Sequence, residues 1–195
     1  MLPETSYFDN LFLTDQNIRN IQGDIIECGV WRGGMIAGIA ELLGKEKKYY
    51  LFDSFEGLPD AKEIDGEGAK NYQMDKNSPN YYNNCTAEIE FSENAMKQTG
   101  TDYIIKKGWF NETLKDFASP PIALLRLDGD WYDSTMECME YLYPHVVYDG
   151  LIIIDDYYTW DGCSRAVHDY LSRIKSASRI SKSERGVCYI IKKDI

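Results

Sequence analysis

The sequence predicts an α/β fold with a mostly parallel, doubly wound sheet that ends in an antiparallel hairpin. Three observations support this prediction. Short apolar runs alternate with stretches of helical spacing along most of the chain. A glycine-rich turn follows the first run, and the last two runs are joined by a turn too short for a helical crossover. We expect the 195 residues to form a single domain, 1–195.

The predicted elements follow one another in a regular order. Five buried strands are expected at 25–30, 49–55, 104–110, 122–130 and 150–157. Helices are expected at 35–44, 87–97, 134–143 and 162–174. Right-handed crossovers between such units favour the strand order 3-2-1-4-5. Two short strands, at 178–182 and 187–193, then form the terminal hairpin.

Two segments lie outside this alternation. Residues 1–22 form a short N-terminal segment ahead of the first strand. Residues 56–85 collect Gly, Pro, Asp, Asn and Tyr with little periodicity, and they follow the second strand at the edge of the sheet where ligands bind. We expect a lid over the substrate there, with a mobile surface loop as the alternative.

Composition excludes several classes of protein. A net charge of −11 argues against nucleic acid as a partner. No apolar run approaches the roughly 20 residues that span a bilayer, and the first residues lack a signal-peptide pattern. The 5 cysteines are an odd number and form no CxxC pair. We therefore expect a cytoplasmic protein with no membrane contact and no disulfide framework.

The first candidate site is the turn ECGVWRGG at 27–34. It reads ExGxxxG rather than the GxGxxG of dinucleotide-binding turns, and an acid at its mouth repels pyrophosphate and attracts a cation such as an amino group. Gly29 and Gly33 would let the backbone approach a ligand closely. Ordinary packing of a strand against a helix explains the same glycines equally well.

Asp53 ends the second predicted strand, 24 positions after Gly29. An acid at this place accepts hydrogen bonds from the ribose hydroxyls of bound nucleotides. An aspartate that starts or caps a loop is the competing interpretation.

Four acids end the fourth and fifth predicted strands: Asp128, Asp130, Asp155 and Asp156. Because these strands are expected to be neighbours, the carboxylates should lie within a few ångströms of one another. Such a cluster is costly unless a divalent cation with oxygen ligands binds to it, and magnesium suits that role. Helix capping by Asp130 or Asp133 and turn initiation by Asp156 are the structural alternatives.

Arg126 lies inside the apolar fourth strand, so we expect it to pair with Glu27 or with an acid of this cluster. His145 and His168 are interpreted as surface residues.

Five blocks together resemble the macrocin O-methyltransferase family. They occur in the family's order and cover nearly the whole core: GDIIECGVWRGG, LFDSFEGLP, KGWFNETL, LLRLDGDWYDSTMECMEYLYP and GLIIIDDYYTWDGCSRAVHDY. The resemblance implies a Rossmann-like class I methyltransferase fold. It also implies an S-adenosylmethionine-dependent, Mg²⁺-dependent O-methyltransferase that acts on a hydroxyl of a sugar or glycosylated small molecule, and a possible homodimer.

The resemblance also assigns site residues. It implies that Asp128, Asp155 and Asp156 bind the metal and that Asp130 is the general base. The residues it implies for the cofactor are Glu27, Gly29, Trp31, Gly33, Asp53, Ser54, Gly108, Trp109 and Asp128.

Three other functions remain open at this stage. A nicotinamide-dependent oxidoreductase would require a GxGxxG turn. A Mg²⁺-dependent phosphoryl-transfer or hydrolytic enzyme would require basic residues near the acids. A non-catalytic methyltransferase-like domain would bind the cofactor or a partner without turnover.

Overall fold

The computed structural model describes residues 4–193 and has a seven-stranded sheet at its centre. The strands are β1 (Asp24–Cys28), β2 (Lys48–Asp53), β3 (Asp102–Lys107), β4 (Ile122–Leu127), β5 (Val146–Ile154), β6 (Ile180–Lys182) and β7 (Cys188–Ile191). Their spatial order is β3-β2-β1-β4-β5-β7-β6. The predicted order 3-2-1-4-5 is therefore confirmed.

The sheet is parallel from β3 to β5 and antiparallel beyond it. β1 pairs with both β2 and β4, and β4 pairs with β5, all in parallel. β7 pairs antiparallel with β5 and with β6, which confirms the terminal hairpin. As a consequence the carboxyl ends of β1, β2, β4 and β5 meet at one edge of the sheet, where each is followed by a loop.

Seven α-helices accompany the strands in the described part of the chain: α1 (Glu4–Ile18), α2 (Gly34–Leu43), α3 (Gly66–Met74), α4 (Ile89–Thr99), α5 (Phe110–Thr113), α6 (Tyr132–Leu142) and α7 (Asp161–Arg173). The four predicted helices correspond to α2, α4, α6 and α7. The sequence analysis gave no helix for 1–22, where α1 forms, and none for 56–85, where α3 and two 3₁₀ turns form. The weak apolar periodicity of both segments explains the difference, because tertiary contacts stabilise these helices.

The core lies on both faces of the sheet. Alternate residues of β1 point to opposite faces, so that Ile25 belongs to one buried cluster and Ile26 to the other. All six residues of β4 are buried, as expected for a central parallel strand covered by helices on both faces. None of the helices described in residues 4–193 is long and apolar enough to cross a bilayer.

The turn after β1 requires glycine at position 29. Gly29 has φ 86°, and a Cβ atom there would lie 1.8 Å from the carbonyl oxygen of Asp128. This oxygen belongs to the backbone and cannot move aside without separating β1 from β4. Gly34, at the start of α2, has no atom within 4 Å of its hypothetical Cβ.

We expect Gly29→Ala to lower the free energy of unfolding by more than about 2 kcal/mol, since it combines a left-handed backbone with a clash. Gly34→Ala is the matched control and should leave stability unchanged or raise it by about 0.5 kcal/mol. Urea denaturation of both variants measures the difference. Equal stability of the two would contradict the close approach seen at Gly29.

Candidate functional site

The loop after β1 is held in shape by the carboxylate that ends β2. Asp53 Oδ2 accepts hydrogen bonds from the amides of Val30 and Trp31, each at 2.8 Å, and Oδ1 accepts one from Phe55 at 2.6 Å. Burial raises the pKa of Asp53, although these amide bonds act in the opposite direction. Asp53 therefore organises the loop after β1 and the first residues of the loop that follows β2.

A buried guanidinium joins the ends of three strands. Arg126 Nη1 lies 2.6 Å from Glu27 Oε1 and 2.7 Å from Asp128 Oδ2, and Nη2 lies 2.7 Å from Asp155 Oδ1. Its Nε donates to Asn10 Oδ1 of α1 at 3.2 Å. The predicted pairing of Arg126 with Glu27 and with acids of the cluster is thus confirmed.

Glu27 retains one oxygen for a further partner. Its side chain is 1% exposed, and Oε2 has no hydrogen-bond partner among the described residues. Burial raises the pKa of Glu27 to about 7, while the charge of Arg126 acts to lower it. The indole Nε1 of Trp31, in the same loop, is likewise buried without a partner in residues 4–193. An acceptor and a donor are therefore left unused beside the glycine turn.

Three carboxylates converge beyond Arg126. One oxygen each from Asp128, Asp130 and Asp156 lie within 4.8 Å of one another. Of the four acids predicted to lie together, these three converge, whereas Asp155 Oδ1 faces Arg126. Burial raises the pKa of Asp130 and of Asp156, and the neighbouring carboxylates raise both further.

The backbone at Asp130 is unusual. Its φ of 58° is left-handed, and its amide donates to Asp156 Oδ2 at 3.1 Å. Its side-chain Oδ1 accepts a hydrogen bond from Trp160 Nε1 at 2.8 Å. Aspartate adopts this conformation more readily than most other residues, and here it is held by hydrogen bonds of both its backbone and its side chain.

One cavity of about 1280 Å³ connects the glycine loop with the carboxylates. The predicted site residues that line it are Glu27, Gly29, Trp31, Asp53, Ser54, Gly108, Trp109, Asp128, Asp130, Asp155 and Asp156. Gly33 is not among them, because it packs against Ser92, whose Cα would lie 2.8 Å from a Cβ at position 33. This contact and a φ of 77° both require glycine at position 33.

The segment 56–85 forms one wall of this cavity through residues that the sequence analysis did not single out. Asp65 is buried and accepts hydrogen bonds from the amides of Tyr132 and Lys62, each at 2.7 Å. Trp131 Nε1 donates to the carbonyl oxygen of Pro59 at 2.8 Å. These bonds attach the segment to the start of α6, directly after Asp130. No local sequence pattern signals this anchoring role, because Tyr132, the partner of Asp65 on α6, lies 67 positions away.

Comparisons with known proteins agree with this architecture. A family model described as macrocin-O-methyltransferase (TylF) matches residues 10–189. Demethyldecarbamoylnovobiocin O-methyltransferase of Streptomyces niveus is 31% identical over 179 residues, which cover 87% of this chain and 66% of the relative. The 8-demethyl-8-(2,3-dimethoxy-alpha-L-rhamnosyl)-tetracenomycin-C 4'-O-methyltransferase of Streptomyces olivaceus is 32% identical over 171 residues, or 83% of this chain and 63% of the relative.

Solved structures are similar over nearly the full chain. The structure of the O-methyltransferase NovP has a TM-score of 0.79 at 26% identity and covers 97% of this chain and 80% of that one. The calicheamicin methyltransferase CalS11 has a TM-score of 0.70 at 19% identity, and the alignment covers 99% of this chain and 82% of CalS11. At this identity the similarity supports the fold alone. The chain spans about two thirds of the length of the curated relatives it matches.

We expect Arg126→Met to destabilise the protein by about 3–5 kcal/mol, because it leaves buried carboxylates without their countercharge. Arg173→Met removes an exposed arginine that is 2.7 Å from Glu140, and should cost less than about 1 kcal/mol. Chemical denaturation of both variants gives the comparison. Similar losses in the two would show that the Arg126 cluster is not needed for stability.

The pH dependence of stability should change in Glu27→Gln. The folded pKa of Glu27, about 7, lies above its ordinary value, so its contribution to stability is complete at low pH and is lost as pH rises through about 7. Unfolding free energies at about pH 5 and about pH 8 should therefore differ less in Glu27→Gln than in the parent protein. Glu90→Gln, at an exposed position, serves as the control. An unchanged difference in Glu27→Gln would contradict the raised pKa.

Proposed function

This chain belongs to the macrocin O-methyltransferase (TylF) family, and we propose that it transfers a methyl group from S-adenosylmethionine to a hydroxyl of a sugar or glycosylated small molecule, with the help of Mg²⁺. The names of its relatives support the choice of acceptor, since one of them specifies a rhamnosyl group. A single observation carries the proposal: one cavity holds an unused carboxylate oxygen at a glycine turn and three converging carboxylates.

The groups at the glycine turn fit the cofactor. The amino acid part of S-adenosylmethionine carries an ammonium group, and Glu27 Oε2 is a buried acceptor without a partner in residues 4–193. A buried oxygen without a hydrogen-bond partner costs free energy, so a cationic donor that bonds to it stabilises the complex. Trp31 Nε1 offers a complementary donor for a carboxylate or a hydroxyl of the same ligand. Asp53 holds the backbone of the loop that carries Trp31.

The acids fit Mg²⁺ by the chemistry of their donors. The ion prefers oxygen ligands and uses few carboxylates, keeping other positions for water or substrate. We propose Asp128, Asp155 and Asp156 as its ligands, which all line the cavity. Asp130 also converges with Asp128 and Asp156, and Asp155 Oδ1 is held by Arg126. Because the indole of Trp160 fixes Asp130 Oδ1, we assign Asp130 to proton transfer rather than to the metal. That arrangement supports Asp130 in the role of base.

In the proposed mechanism, S-adenosylmethionine supplies a methyl group on a positively charged sulfur, and Mg²⁺ would acidify the acceptor hydroxyl. Asp130 Oδ2 accepts the hydroxyl proton as the new O–C bond forms and the S–C bond breaks. Glu27 holds the donor at the other end of the cavity, so that the two reactants meet in a fixed orientation.

The charge of the cavity distinguishes this proposal from phosphoryl transfer. Among the described residues, two side chains with a positive charge line the cavity, those of Arg32 and Lys62. Lys62 is paired with Asp133. Both lie at exposed positions. A phosphate group would meet the carboxylates without a compensating cation other than the metal, whereas a neutral sugar would not be repelled.

Calorimetry with S-adenosylhomocysteine tests the first half of the proposal. We expect binding by the parent protein, and a loss of about 10- to 100-fold in affinity in Glu27→Gln, because the ammonium group loses its charged partner. Glu90→Gln should bind as the parent does. Absence of binding by the parent protein would reject the methyltransferase function.

Turnover tests the second half. With S-adenosylmethionine and a panel of glycosides that carry vicinal diols, we expect a product heavier by one methylene group, lost on chelation by EDTA and restored by Mg²⁺. Asp130→Asn should keep its affinity for S-adenosylhomocysteine and lose about 10²- to 10⁴-fold in kcat. Cofactor binding without transfer to any acceptor would instead favour a non-catalytic binding domain, and turnover that survives exhaustive chelation would remove the metal from the mechanism.

A further inference from the structure

Two indole N–H groups in one aromatic cluster point to different acceptors. The cluster consists of Tyr72, Trp131 and Trp160, which all line the cavity. Trp131 Nε1 donates to the backbone oxygen of Pro59, and Trp160 Nε1 donates to the side chain of Asp130, both at 2.8 Å. The first bond ties the segment 56–85 to the start of α6. The second acts directly on the carboxylate that we propose as the base.

We propose that Trp160 is a positioning residue that decides which oxygen of Asp130 receives the substrate proton. This inference rests on the proposed function. An indole N–H can donate but cannot accept, so it occupies Asp130 Oδ1 as a fixed donor and leaves Oδ2 for the acceptor hydroxyl. The amide of Asp130 is bound to Asp156 at the same time, so both the backbone and the side chain are fixed.

The packing of Trp160 gives its N–H a defined direction. Its ring meets that of Trp131 edge to face, with centroids 5.2 Å apart at 70°, and that of Tyr72 at 5.6 Å and 63°. The hydroxyl of Tyr72 donates to the carbonyl oxygen of Tyr81 at 2.7 Å, which fixes this ring as well. Contacts with two neighbouring rings restrict rotation of the indole, so that the orientation of Asp130 depends on aromatic packing.

Trp160→Phe and Trp131→Phe form a matched pair for the test. Each removes one indole N–H and keeps an aromatic ring in the cluster, but only Trp160→Phe removes the hydrogen bond to Asp130. We expect Trp160→Phe to lower kcat by about 10- to 100-fold, with the acceptor KM and the affinity for S-adenosylhomocysteine changed by less than about threefold. Trp131→Phe should act mainly on the melting temperature and the acceptor KM, and should lower kcat less than Trp160→Phe does.

The double variant separates positioning from a structural effect. In an Asp130→Asn background, Trp160→Phe should cause little further loss of kcat, because the base that it positions is gone. An additive loss in the double variant, or equal losses of kcat in Trp160→Phe and Trp131→Phe, would overturn the inference while leaving the proposed function intact. Full turnover by Asp130→Asn would instead remove the base on which the inference rests.

A spectroscopic measurement tests the bond without any acceptor. The 4 tryptophans give separate indole ¹H–¹⁵N signals, and single Trp→Phe variants assign them. We expect Asp130→Asn to shift the Trp160 signal more than the other three, since the charge of its acceptor is lost. Asp133→Asn, which changes an exposed acid on α6, is the control. A Trp160 signal that moves no further in Asp130→Asn than in Asp133→Asn would overturn the inference even if no substrate has been found.

Discussion

A single buried guanidinium holds together the edge of the sheet at which the cavity opens. Arg126 lies one residue before the end of β4 and reaches the carboxylates that end β1 and follow β4 and β5. An arginine that is 1% exposed is tolerable only because these acids neutralise it, and the acids in turn tolerate their closeness because of the arginine. The strand order β1-β4-β5 is what brings the partners within reach. Other orders would leave buried charges unpaired.

Arg126 compensates only part of the negative charge at this edge. Glu27 keeps a buried oxygen without a partner in residues 4–193, and Asp130 and Asp156 converge with Asp128 beyond the guanidinium. Burial raises the pKa values of Glu27, Asp130 and Asp156, and the excess of carboxylate raises them further. A site with such an excess is stabilised by cations, which is the physical reason why we propose a sulfonium cofactor with an ammonium group and a divalent ion for the same cavity.

The aromatic cluster connects the segment 56–85 with this charged edge. The indole N–H of Trp131 donates to the backbone of that segment, and the indole N–H of Trp160 donates to Asp130. Asp65 adds a second attachment at the start of α6. The wall over the cavity and the proposed base therefore share the same packed rings. A shift of the segment would therefore alter the position of the Asp130 side chain through these contacts.

The sequence by itself determined the sheet and the identity of most residues around the cavity. Apolar runs such as 150–157 mark buried strands without knowledge of their neighbours, and the acids that end them are recognised by position alone. It could not show α3, the anchoring role of Asp65 or the bond between Trp160 and Asp130, since these depend on residues 30 to 67 positions apart. Nor could it decide that Asp155 faces Arg126 while Asp130 joins the converging carboxylates. That choice is made by the left-handed backbone of Asp130 and by the packing of the indole beside it, and local sequence patterns carry no information about such contacts.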